Sequence, residues 1–121
     1  MKTNQEILDN YGKIVVNEVI DRHYKGISKA IFQGLKNPMM QQYNVIFDKL
    51  TEEEKNLLKS FIYENTNSLL FDFLRIFEEN EEYKLVYEEE GTQVNLVEIS
   101  EMLKAEPIIE NGWIERFSKE K

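Results

Sequence analysis

No cysteine occurs in the chain, which excludes disulfides, thiolate metal sites and a cysteine nucleophile. Proline is almost as scarce, with Pro38 and Pro107 alone, so nothing reads as a rigid linker or a proline-rich recognition segment. His23 is the single histidine, which rules out a multi-histidine metal centre; on a helix, Asp21 two residues away would point to a different side. The chain contains no GxGxxG, no P-loop, no nucleophile elbow and no Asp-rich calcium loop. Long apolar runs are missing as well: Ile14–Ile20 is interrupted by Asn17 and Glu18, and Met1–Glu6 turns polar and acidic at once. This pattern predicts neither a membrane span nor a secretory leader, and makes the cytoplasm the expected location.

Carboxylate is what the chain has in excess. Its net charge is −8, and the distribution is lopsided: residues 1–50 balance to +2 and residues 51–121 to −10. The acids come in bursts, at Glu52–Glu54, Glu78–Glu79 with Glu81–Glu82, and Glu88–Glu90. Such a field repels nucleic acid and anionic membranes and attracts cationic protein surfaces.

At 121 residues and 41% hydrophobic, the chain fits one domain, 1–121, around one core. Thr3 with Glu6, and Thr51 with Glu54, read as capping boxes that open helices. Apolar residues at three- and four-residue spacings then predict helices over 4–33, 38–50 and 52–79, with Gly34 closing the first. Within the long third helix, Phe61, Phe73 and Phe77 read as core, and Met39-Met40 as core filling. Tyr63 and Phe71 lie off its main stripe, and so either pack under the C-terminal segment or form an exposed patch. Residues 83–97 predict a β-hairpin around Glu90-Gly91-Thr92, followed by a short helical tail over 98–118. A competing reading of the second arm takes Asn95 as a helix N-cap. The expected fold is mainly α, a helical domain of three to four helices with a small C-terminal β-hairpin.

No catalytic residue, metal ligand or cofactor site stands out, and none is assigned. The candidate partner-binding residues are Glu81, Glu82, Tyr83, Tyr87, Glu88, Glu89, Glu90 and Trp113, aromatic anchors set among carboxylates. Nine acids (Asp72, Glu78, Glu79, Glu81, Glu82, Glu88, Glu89, Glu90, Glu98) face only Arg75 and Lys84 in that stretch. The first functional reading is an acidic module that binds a cationic protein. An alternative is a small helical ligand- or metal-binding domain, or an enzyme, using Glu carboxylates. A third is a homo-oligomeric structural module.

In its size, its acidic C-terminal half and its closing run Glu110-Asn111-Gly112-Trp113-Ile114-Glu115-Arg116-Phe117, the chain resembles the small, acidic, cysteine-free bacterial proteins that include toxin-immunity proteins. The resemblance implies an inhibitor of a cationic toxin such as a nuclease. It assigns no role to any individual residue.

Overall fold

In the computed structural model, which describes residues 1–121, 66% of the residues are helical. Helix α1 (Asn4–Val15) opens on the Thr3–Glu6 capping box and runs without a break through a π-helical segment, Val16–Ile20, into α2 (Asp21–Gln33). In the π segment the Asp21 N–H bonds the Val16 carbonyl, one residue further back than in an α-helix. The extra residue rephases the apolar stripe, so that Ile7, Leu8, Val15 and Val16 before it and Ile20, Tyr24 and Ile31 after it are all buried. The helix does not break at Gly26, and Gly34 ends it with a positive φ of 87°.

A single-turn 3-10 segment (Pro38–Met40) leads into α3 (Gln41–Phe47), and the Thr51–Glu54 capping box starts α4 (Glu52–Glu79). Strands β1 (Val86–Glu89) and β2 (Thr92–Asn95) pair antiparallel, with Tyr87 opposite Val94 and Glu89 opposite Thr92. Glu90 and Gly91 form the two-residue turn, both with positive φ (51° and 83°), the conformation that suits the twist of a tight hairpin. Asn95 caps α5 (Leu96–Ile99) by accepting from the Val97 N–H. The helix thus starts at Leu96, as in the N-cap reading of Asn95, and ends at Ile99. A 3-10 turn (Leu103–Ala105) and α6 (Trp113–Phe117) complete the chain. The tail is helical only over these short stretches.

The core gathers both ends of the sequence. Ile7, Leu8, Val15, Val16, Ile20 and Tyr24 meet Leu74, Leu96, Leu103, Trp113 and Ile114. Asp21 is buried, and its carboxylate accepts from Ser118 Oγ (2.5 Å) and Lys119 N (2.9 Å), tying the C-terminal segment to the middle of the long helix. Tyr24 and Tyr63 stack with centroids 3.7 Å apart, and the Tyr63 hydroxyl donates to the Tyr24 carbonyl (2.9 Å). Tyr63 is therefore an inward residue of α4, and half-buried Phe71 lies under the Lys104 ammonium.

The inward face of α4 differs from the expected one. Leu74 is its one buried residue, flanked by half-buried Leu70 and Phe77, whereas Phe61 (64% exposed) and Phe73 (55%) face out. Met39 and Met40 are exposed as well, and so fill no core. Phe73 keeps an edge-to-face contact with Phe77 at 6.0 Å. Phe73→Ala should therefore cost about 1 kcal/mol or less, the worth of one aromatic pair rather than of a core phenylalanine. Urea denaturation with an unchanged slope would measure it, and a loss above about 3 kcal/mol would put the ring back in the core.

Candidate protein-binding surface

The end of α4 and the hairpin together create the acidic end of the molecule. Strand alternation sends Tyr87 and Glu89 to one face of β1 and Val86 and Glu88 to the other. The inward pair is engaged by the N-terminal segment. Lys2 Nζ donates to the Tyr87 hydroxyl (3.2 Å) and lies 3.6 Å from Glu89 Oε1, while the Tyr87 hydroxyl donates to the same carboxylate oxygen (2.9 Å). The Tyr87 hydrogen bond holds the Glu89 carboxyl below the usual carboxylate range, and contact with Tyr87 raises the Lys2 ammonium. These two hairpin residues thus anchor the sheet to the body.

Five of the outward acids have no cation partner. Among the nine carboxylates of this region, Arg75 pairs with Asp72 and Glu79 (3.5 Å each), Lys104 with Glu78 (3.5 Å) and Lys2 with Glu89. Glu81, Glu82, Glu88, Glu90 and Glu98 form no ion pair. Glu90 stands at the turn; Glu81 and Glu82 lie in the loop that leaves α4, next to Tyr83, which is 67% exposed. Between this loop and the start of α5 lies an open cleft of about 380 Å³, lined by Phe77, Glu78, Glu81, Tyr83, Val97 and Glu98 among others. Lys84 is the one cation lining it, and its ammonium rests on the Glu81 carbonyl (3.1 Å). No group of three or more His, Asp or Glu side chains converges as metal ligands would.

The structure places Glu81 and Tyr83 at the cleft, leaves Glu82 exposed in the loop between them, sets Glu88 and Glu90 outward on the hairpin, and turns Tyr87 and Glu89 inward. Trp113 is elsewhere. It is fully buried, edge-on to Tyr11 at 5.8 Å, where a ring cannot meet a partner without unfolding α6. Its place as a rim anchor is corrected on that ground: nearness to carboxylates in sequence carried the expectation, and the ring folds back onto α1 instead. Glu98 and Phe77, which line the cleft, were not among the expected binding residues. The Asn95 N-cap was the available signal for Glu98, because it places that residue in the first turn of α5, beside the end of α4.

Comparison with known protein families, with curated proteins and with solved structures finds none that matches this chain.

Proposed function

We propose that this chain is an acidic protein-binding module that docks its cleft end on a cationic protein, acting as an immunity or inhibitor protein against a toxin such as a nuclease. The observation that supports this reading is a set of five carboxylates without cation partners, Glu81 and Glu98 lining an open cleft with Tyr83, Glu82 in the adjoining loop, and Glu88 and Glu90 outward on the hairpin. Carboxylates left unneutralised at one end project a negative field, which orients and accelerates encounter with a positive surface. A nuclease active site is such a surface, because it must hold phosphates. An exposed ring inside a charged rim supplies the desolvated contact that slows dissociation.

The test uses the partner captured from native lysate, with stopped-flow binding and growth rescue of cells that express it. Replacing Glu81, Glu88 and Glu90 with Lys should leave the fold intact, because these side chains are exposed and make only one long surface hydrogen bond, from Gln93 Nε2 to Glu88 (3.4 Å). At low ionic strength association should slow by about 10-fold or more, and the gap should close as salt rises. Tyr83→Ala should act on dissociation instead, by the roughly 2 kcal/mol of a binding hot spot. Unchanged association of the triple variant at low salt would remove the support for this function.

A further inference from the structure

Where α1 meets β1 and the start of α5 lies a cavity of about 150 Å³. Seven of its nine lining residues are hydrophobic, and the other two, Lys2 and Asn10, are exposed. Ile7 (3% exposed) and Leu96 (2%) belong to the core, so the cavity is backed by packed side chains. Two more of the lining residues are tyrosines held by other contacts. Tyr11 stands edge-on to fully buried Trp113 at 5.8 Å, and the Tyr87 hydroxyl is fixed by Lys2 Nζ (3.2 Å) and Glu89 Oε1 (2.9 Å). Walls restrained in this way are formed before a ligand arrives, which lowers the ordering cost of binding.

We infer that this cavity binds a small neutral aromatic molecule carrying one hydroxyl group, of the size of benzyl alcohol. Volume sets the size, because an apolar cavity of about 150 Å³ holds one benzene ring. The two tyrosine rings set the class, since they offer edge and face contacts to a third. Charge selects the neutral form. Lys2 is the one charged residue in the lining, and Glu89 already neutralises it at 3.6 Å. A carboxylate would have to displace Glu89 from that ammonium, and a cationic ligand would be repelled by it.

The ligand hydroxyl answers a polar group that the protein leaves alone. No hydrogen bond engages the Tyr11 hydroxyl, and burial pushes it above the usual tyrosine range. A polar group withdrawn from water in this way gains from a partner that enters with the ring. The cavity shares no lining residue with the acidic cleft, so neither reading depends on the other.

Methyl NMR of the whole chain with a matched series of probes tests the inference. Benzyl alcohol should shift the methyl signals of Ile7, Ile14 and Leu96 saturably and leave Ile31 and Ile46 unmoved. For so few atoms the Kd should be on the order of 0.1–1 mM. Benzoate, benzylamine and toluene present the same ring with an anion, a cation or no polar group. Each should bind about 10-fold more weakly, the worth of one hydrogen bond or more. Tyr11→Phe keeps the ring and should abolish the advantage of benzyl alcohol over toluene. Ile14→Trp, at a half-exposed position of the lining, should occupy the cavity, weaken benzyl alcohol by about 10-fold or more and keep the helical circular dichroism. The inference would be overturned by no saturable shift up to about 10 mM, by shifts centred on other methyls, or by any isostere binding as tightly. An advantage over toluene that survives Tyr11→Phe, or full affinity in Ile14→Trp, would overturn it equally.

Discussion

Trp113→Ala is expected to remove about 3–5 kcal/mol of stability, the range for emptying a buried aromatic site. The ring is fully buried in the one core cluster, edge-on to Tyr11 and against Gly12. Its backbone N–H bonds the Glu106 carbonyl (2.9 Å) and the following Ile114 N–H bonds the Pro107 carbonyl (3.1 Å), so the segment leading into α6 is closed around it. Few compensating movements can fill such a space. Total stability of a domain this size is about 5–15 kcal/mol, so the variant should be partly unfolded near 37 °C. Urea titration followed by circular dichroism would measure the loss. A cost below about 1 kcal/mol would mean that the ring sits at a surface, as a partner anchor would.

Gly12→Ala is expected to destabilise by about 1–3 kcal/mol or more, against the helix-propensity gain of about 1 kcal/mol that the same change normally brings. A Cβ at Gly12 would lie 2.5 Å from Cδ1 and Cγ of Trp113, and a fully buried indole cannot move aside. Gly26 is the internal control. It lies in the same continuous helix with nothing within 4 Å of an added Cβ, so Gly26→Ala should stabilise by roughly 0.5–1 kcal/mol. The opposite signs separate packing from propensity. A double-mutant cycle completes the test: in the Trp113→Ala background, most of the Gly12→Ala penalty should disappear, because the clash has lost one of its members.

Local chemistry was legible in the sequence, and the phase of burial was not. Both capping boxes form as their Thr and Glu residues suggested, because a cap is settled within one helical turn. The hairpin follows equally from its own residues, with Glu90-Gly91 at the turn. Helix α4 defeated the pattern because it carries large apolar residues around most of its circumference: Leu57, Phe61, Leu69, Phe73 and Ile76 outward, Ile62, Leu70, Leu74 and Phe77 inward. Three- and four-residue spacings give the period of such a helix without saying which stripe wins. That depends on α2 and the Leu103–Ala105 turn, which pack against it, and on the π segment that sets the phase of α2 relative to α1.

The candidate site was legible as charge. Glu81, Glu82, Glu88 and Glu90 are exposed. The inward turn of Tyr87 and Glu89 follows from hairpin register and from Lys2, 85 residues away, which no local pattern contains. The same distance hid the role of Trp113. Gly12 in the middle of an otherwise apolar helix face was the trace of it, a gap in α1 with a shape that only a partner from the far end of the chain explains.

That gap also sets the order of events during synthesis. Trp113 is made 101 residues after Gly12, the position whose space it fills. At about 5–20 residues per second a ribosome needs roughly 5–20 s to cover that distance. Leu74, Leu96 and Leu103 emerge earlier and cover other parts of the first helix's apolar stripe, but the hollow at Gly12 stays open until the indole arrives.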